Sequence, residues 1–430
     1  MSGELLLGTA KVDITPDRPI PLAGFGHRKG PYEGINRRLF VRVNCFGQSD
    51  GNATRKMIVA MGDIIWWGSE RMDRIRKTIS EKWGIREQDI ILSAQHTHGG
   101  PSTSTLFLDT LGIPDVAYLD RLDELLFAAV EQAVGNMEPV TAERGSGECR
   151  IGINRRKMQD GKMTMAPNPD GLLDPVATVF RFKKEDGKTK AVLIHYTCHP
   201  TTTNINFVHS DYPGVAAERL EGTFGGGTVV SFLQGCTGNV RPALVRDGKF
   251  YSGTDDDVRR LGKALADTVE KVLDGPMEPL SPVPFDSKQI VVQLPFQTLP
   301  GDEEIDAAIA KGGALAEWGE ILRRKPELLR PHIPFELTRL DIADGLSFIA
   351  MNGEVVLEYG MFIKEETKGK VLPLGYANGM VGYVPTAAQI AEGGYEAKDS
   401  SIYFALPAPF DPSIETIIRQ GITQLIRKED

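Results

Sequence analysis

Three short polar clusters, each directly after an apolar run, hold most of the side chains in this sequence that can do chemistry. Ala94-Gln95-His96-Thr97-His98-Gly99-Gly100-Pro101 follows Asp89-Ile90-Ile91-Leu92-Ser93. Cys198-His199-Pro200-Thr201-Thr202-Thr203-Asn204 follows Ala191-Val192-Leu193-Ile194, and Gln234-Gly235-Cys236-Thr237-Gly238-Asn239-Val240-Arg241-Pro242 follows Val229-Val230-Ser231-Phe232. Strands of an α/β sheet that end in this way deliver polar residues to a crevice at their carboxyl edge, where ligands bind. The chain has 7 histidines, and His96, His98, His195, His199 and His209 lie in or beside the first two clusters. That concentration points to a metal.

A catalytic zinc takes three or four N and O donors and leaves a place for water. His96 and His98 stand two apart, so on a continuing strand both would face one side. Gly99-Gly100 behind them suits a turn in which backbone approaches a ligand. His199 would supply a cross-strand partner, and Glu354, which opens an apolar run after Asn352-Gly353, is a candidate carboxylate. Each piece also has a plainer reading. His-x-His pairs are commonly structural, Cys198 beside an apolar strand is a small core residue, and Asp211 suits a helix cap. Cys236, flanked by Gly235 and Gly238, is either a nucleophile or a buried thiol in a tight turn. No Gly-x-Ser-x-Gly elbow offers a serine nucleophile. Gly225-Gly226-Gly227 follows a helix, which makes a poor phosphate cradle.

The elements that must position these residues read as strands and turns first, with Leu6 to Asp13, a Pro/Gly-rich stretch from Thr15 to Tyr32, and Leu39 to Val43. Strand and helix then alternate. Met57 to Met61 is a buried strand, Ser69 to Ile85 has helical spacing, and Tyr118 to Val134 sets Leu119, Leu122, Leu126, Ala129 and Ala133 on one helical face. Asp211-Tyr212-Pro213 reads as an N-cap with proline in the first turn of a helix through Glu221, and Asp257 to Leu273 is a further amphipathic helix. Proline-rich 276–284 marks a break. Asp302 to Leu329 reads as a helical insertion, lining either the pocket or a homo-oligomer interface, with Arg323-Arg324-Lys325 a solvated face. A strand pair at Leu346–Ala350 and Val355–Leu357 and a closing helix from Ile414 to Arg427 complete the pattern. This predicts an α/β fold, a mixed sheet core flanked by helices, with a helical insertion.

With 49 basic and 58 acidic residues the net charge is −9, the wrong sign for a nucleic-acid footprint. No apolar run approaches the ~20 residues of a membrane helix. The N-terminus has no secretory pattern, and the cysteines at 45, 149, 198 and 236 have no CxxC spacing, so a cytoplasmic enzyme of a small-molecule substrate is expected.

Taken in order, His96-Thr97-His98-Gly99-Gly100-Pro101, Ile153-Asn154-Arg155, His199-Pro200-Thr201, Ser210-Asp211-Tyr212-Pro213-Gly214, the cluster Gln234 to Pro242, Gly353-Glu354 and Gly382-Tyr383-Val384-Pro385-Thr386 resemble the catalytic domain of the neutral/alkaline non-lysosomal ceramidases, and more closely its shorter bacterial relatives of uncertain substrate. The resemblance runs from about Gly8 to about Glu396. It implies a zinc-hydrolase-like fold, a single catalytic domain over 1–430 with 276–345 as a connecting segment that carries the helical insertion, and no C-terminal immunoglobulin-like domain. It implies one Zn2+ that activates water against an amide, held by His96, His199, Glu354 and Tyr383, with His98 and Arg155 at the scissile carbonyl. Tyr376 and Tyr395 compete with Tyr383 for its role, and Glu358 rivals Glu354. The family's Gly-Asp-Val-Ser-Pro segment has a serine where this chain has Arg241, and Asn239 replaces its aspartate. Arginine clamps carboxylate or phosphate, so Arg241, with Asn239 and Asp211, is expected to bind a small, anionic substrate rather than ceramide. A zinc esterase or carbohydrate-derivative hydrolase, and a non-catalytic metal-containing binding protein, stay open beside the amidase.

Overall fold

The computed structural model describes residues 4–49 and 54–427. Its largest sheet has nine strands. From edge to edge it runs Val229–Gln234, Thr189–Tyr196, Val176–Lys184, Glu138–Glu148, Leu5–Asp13, Phe40–Ser49, Thr54–Gly62 and Ile90–Ala94, with Glu278–Pro279 added onto Glu138–Glu148. The two outermost pairs are parallel and the pairs between them antiparallel. The period-two alternation of a strand sorts side chains to two faces. Along Val176–Lys184, Phe180 and Phe182 enter one core while Ala177 and Val179 enter another.

The first of these cores lies against a second, four-stranded sheet made of Pro282–Pro295, His332–Ala343, Leu346–Met351 and Val371–Leu374. Phe180 and Phe348 meet across it with ring centroids 6.4 Å apart. The opposite face of the large sheet is covered by Ser69–Trp83 and Val116–Gly135 towards one edge and by Asp211–Phe224 and Asp255–Asp274 towards the other. Helix Ile414–Ile426 closes the outer face of the second sheet, and Gly421 permits that approach, since a Cβ there would stand 2.7 Å from Leu337 Cδ1. The result is the expected α/β fold, a mixed sheet core flanked by helices.

The charged stretch after Gly301 is helical as expected but forms two helices, Asp302–Lys311 and Gly313–Arg324. The break falls at Gly312 and Gly313, whose φ values of 76° and 62° are left-handed and suit glycine. Arg323 spans the two helices to Asp302 and Asp306 on the exposed side. Three local expectations change. Ser210, not Asp211, occupies the N-cap of Asp211–Phe224. Val355 does not pair with Leu346–Met351; the two-residue strand Glu354–Val355 pairs in parallel with Tyr383–Val384. Leu357 then begins the helix Leu357–Glu366 rather than extending a strand.

For the site, the arrangement of edges matters most. Each parallel pair points its carboxyl ends the same way, so Gln95–His98 and His199 emerge at strand ends. The segment Gly375–Asn378 spans the two edges: Gly375 N–H donates to Gln234 O (3.2 Å), while Ala94 N–H donates to Tyr376 O (3.0 Å) and Asn378 N–H to Leu92 O (2.8 Å).

Candidate metal centre

His96 is not on a continuing strand. Ile90–Ala94 ends first, and His96 takes a left-handed φ of 70°, a strained conformation for a residue with a Cβ. Its N–H donates to Ile64 O (3.0 Å) and its Nδ1 lies 2.7 Å from Ile65 O. The turn, rather than the pleat, brings His98 Nε2 to 3.3 Å from His96 Nε2. Gly24 makes room for it, since a Cβ there would stand 2.2 Å from His98 Nδ1. His199 follows Thr189–Tyr196, with Nδ1 2.7 Å from Thr237 O. Glu354 is fixed by its pairing with Tyr383 and by its own N–H on Gly382 O (2.8 Å).

From four separate places these side chains converge. Glu354 Oε2 lies 3.3 Å from both His96 Nε2 and His199 Nε2. The ring nitrogens of His96, His98 and His199 lie within 4.8 Å of one another. Ile65 O and Thr237 O can only accept, so Nδ1 of His96 and of His199 carries a hydrogen and the Nε2 of each ring faces the carboxylate. His96 Nε2, His199 Nε2 and Glu354 Oε2 then face one point, with Tyr376 OH 3.5 Å from Glu354 Oε2 and His98 Nε2 3.3 Å from His96 Nε2. Ring nitrogens and a carboxylate that converge in this way fit a cation, and backbone carbonyls on the far ring nitrogens are the usual outer support of metal-binding histidines. Burial first, and the Arg155 charge second, push His199 down to about 4, so its ring is neutral at pH 7. Burial together with His96 and His199 holds His98 well below the usual histidine range. Burial raises Glu354, while His96 or His199 in its protonated form draws the carboxylate well below its ordinary value.

Arg155 lies on Gly152–Gln159, its N–H donating to Asn239 O (2.9 Å). Its Nη2 donates to Tyr383 OH (3.0 Å) and its Nε to Glu396 Oε1 (2.7 Å), while Arg156 Nη1 donates to Glu396 Oε2 (2.8 Å). Glu396 orients Arg155 and has no motif that would mark it in sequence. Of the three competing tyrosines, the structure puts the Tyr383 hydroxyl on Arg155, the Tyr376 hydroxyl on Glu354 and Thr237 Oγ1 (2.7 Å), and the Tyr395 ring against Tyr383 (5.4 Å). Glu358 is turned away: it accepts from Asn239 Nδ2 (3.0 Å) and Gln389 Nε2 (2.9 Å).

Two expected substrate contacts face protein instead. Asn239 is fully buried, its Nδ2 on Glu358 and its Oδ1 on Leu357 N–H (2.9 Å). Asp211 is also fully buried, its carboxylate bound by Thr202 N–H (3.0 Å), Thr202 Oγ1 (2.5 Å) and Tyr212 N–H (2.7 Å). Arg241 is different. Its guanidinium lies 4.4 Å from the Phe250 ring centroid, its Nε is buried without a hydrogen-bond partner, and no acidic side chain among the described residues pairs with it. Burial, with Arg155 as a neighbouring like charge, lowers it to about 10. All four cysteines are buried thiols, and burial pushes Cys236 far above a reactive range, so the core reading of Cys198 and Cys236 holds.

Residues 5–258 match the family described as neutral/alkaline non-lysosomal ceramidase, N-terminal. The chain is similar to the neutral ceramidase of Pseudomonas aeruginosa, 24% identical over 273 residues that cover 59% of this chain and 40% of that protein. It is also similar to the neutral ceramidase of Mycobacterium tuberculosis, 22% identical over 338 residues that cover 74% of this chain and 50% of that protein. The chain thus spans half or less of the length of these relatives. Its fold matches the crystal structure of the P. aeruginosa neutral ceramidase with a TM-score of 0.78 and 18% identity, covering 97% of this chain and 73% of that one. A ceramidase complexed with C2 gives 0.75 and 17%, covering 97% and 74%. The matched segment contains His96, His98, Arg155, His199 and Arg241, and the fold brings Glu354 and Tyr383 to them from beyond it. The chain belongs to the neutral/alkaline non-lysosomal ceramidase family.

Proposed function

We propose that this protein is a zinc-dependent amidohydrolase acting on a small, anionic N-acyl substrate. The observation that carries the reading is the convergence of His96 Nε2 and His199 Nε2 on Glu354 Oε2, each at 3.3 Å. His96, His199 and Glu354 would hold the metal, with Tyr383 as the fourth ligand once its hydroxyl turns from Arg155. When bound, zinc lowers the pKa of water and polarises a carbonyl.

The chain supplies the rest. His98 is neutral at pH 7 and its Nδ1 has no partner, so it can take a proton at the attack and return it to the leaving nitrogen. Arg155, locked by Glu396, is a preset donor for the oxyanion. Arg241, with no acid partner of its own, would hold the substrate's anionic end and thereby select against a neutral lipid. The mildly acidic chain has no nucleic-acid footprint, and no described helix is long and apolar enough to cross a membrane.

The test is metal content by elemental analysis, beside hydrolysis of N-acyl amino acids, their ester analogues and ceramide. About one zinc per chain, lost in His96→Ala and His199→Ala together with amide hydrolysis, supports the reading. Arg241→Leu should raise KM for anionic amides far more than for neutral ones. Full turnover by metal-free protein would refute the mechanism, and ester cleavage without amide cleavage would favour the esterase.

A further inference from the structure

A second cavity, about 380 Å³ in volume, lies apart from the metal centre. None of His96, His98, His199, Glu354, Arg155 or Arg241 lines it. Most of its wall is apolar, with Met72, Phe107, Phe296, Ile333, Phe404 and Leu406 prominent. Most polar groups of its wall pair with one another, although Arg76 Nε is buried without a partner. Arg76 Nη1 donates to Glu336 Oε1 (2.8 Å), as do Asn378 Nδ2 (2.8 Å) and Thr338 Oγ1 (2.8 Å), and Asn352 Oδ1 accepts from Glu336 N–H (2.8 Å). Asp73 at the rim is solvated and lies 3.7 Å from Arg76.

Arg330 breaks this pattern. It lines the cavity half-buried, with no hydrogen-bond or ion-pair partner among the described residues. Burial alone lowers its pKa, which shows a guanidinium with no compensating charge nearby. A volume in the usual range of small-molecule pockets, apolar walls and one free cation describe a site complementary to an amphipathic anion. We infer that this cavity is a second ligand site, for a monocarboxylate with a medium-length apolar tail, whose head is read by Arg330.

Its position adds a consequence. Phe107 and Phe404 line the cavity and also pack on Trp66, with centroids 5.2 and 5.9 Å away. Trp66 lies 6.2 Å from His96, and Phe404 lies 6.0 Å from Tyr383. An occupant therefore sits one aromatic layer behind the metal centre, where Trp66 fluorescence can report it.

The experiment is calorimetric titration of the full chain, as purified, with octanoate, 1-octanol and acetate. One octanoate per chain is expected. Acetate has the same head without a tail, so it reports binding at the metal or Arg241, and it should not compete. Arg330→Met should weaken octanoate by roughly tenfold or more, the loss expected for a charge-assisted hydrogen bond, and leave 1-octanol unchanged. Val291→Glu is the second variant. Val291 lines the cavity and is 54% exposed, so it tolerates a polar side chain while setting a like charge near the mouth, and it should also weaken octanoate selectively. Octanoate that fails to bind at millimolar concentration, that acetate displaces, or that both variants bind as well as wild type would overturn the inference.

Discussion

Glu354→Gln should have opposite effects on the metal-free and metal-loaded protein. Without a metal, Glu354 Oε2 faces two imidazole Nε2 atoms at 3.3 Å, and the Nδ1 hydrogens of both rings go to backbone carbonyls. Between two neutral rings a carboxylate is an acceptor among acceptors. The glutamine amide is nearly the same shape and carries donors, so it can give one N–H to His96 or His199. Relief of one unsatisfied buried contact is worth about 2 kcal/mol. For 430 residues the unfolding entropy is about 0.9 kcal/mol per degree, so the melting temperature of chelator-treated protein should rise by about 2 °C. The loaded protein should behave the other way. Loss of an anionic donor should weaken metal binding by more than the roughly 10–100-fold that follows loss of an outer support. Calorimetric melting of both proteins at pH 7.5, with and without added zinc, reads both effects. A metal-free Glu354→Gln protein less stable than metal-free wild type would refute the reasoning. It would mean that an imidazolium donates to Glu354 in a buried ion pair, and that the cluster does not await a cation.

Acid should destabilise the metal-free protein between pH 6.5 and about 4. His199 is pushed to about 4 and His195 and His209 to about 3, each by burial first, and His98 is also held well below its ordinary value, so the unfolded chain takes up at least three protons in that window that the folded chain refuses. Each costs about 2 kcal/mol at pH 5. Asp211 acts with the opposite sign: burial raises it to about 6, so it recovers about 1 kcal/mol over the same interval. The net loss from pH 7 to pH 5, at least about 4–5 kcal/mol, should appear in denaturant midpoints, and a flat profile would contradict it. Glu396→Gln removes the carboxylate that Arg155 and Arg156 share in a buried setting, and should cost about 3–5 kcal/mol. Arg156 keeps Glu392 at 3.0 Å, so the loss of order should centre on Arg155 and kcat should fall more than KM changes.

Much of the centre was legible because parallel strands put polar residues directly after apolar runs. His96, His98 and His199 follow Ile90–Ala94 and Thr189–Tyr196 by two to four positions, so pattern alone located them. What pattern could not give was direction. His96 and His98 were expected on one face of a strand, and they meet because His96 adopts φ 70° in a turn, a choice set by the hydrogen bonds of Ile64 and Ile65. Glu396 was invisible because it reaches Arg155 across 241 residues, and no local spacing encodes that pairing. Asn239 and Asp211 misled for a related reason. Polar residues next to a site serve equally to hold backbone in place, and burial decides between the two uses. Val355–Leu357 looked like a strand, although tertiary context put Val355, with Glu354, in a bridge with Tyr383–Val384 and gave Leu357 to a helix.

The placement of the centre explains why so many tertiary contacts feed it. An open sheet leaves its two edge strands far apart, yet here the donors come from both edges. Gly375–Asn378 is hydrogen-bonded to Gln234 on one side and to Leu92 and Ala94 on the other, so it holds the edges in register. Tyr376, in the middle of that segment, stacks on the His96 ring at 4.1 Å and shares its hydroxyl between Thr237 and Glu354. The same four residues that join the sheet's edges therefore also set the His96 ring plane and the Glu354 carboxylate. A cation bound by His96, His199 and Glu354 would act on that joint from the other side, because it binds the joined edges and not the separated ones. Closure of the fold and assembly of the centre are then one event, which gives a physical reason why a strained φ at His96 persists: the joint over-determines it.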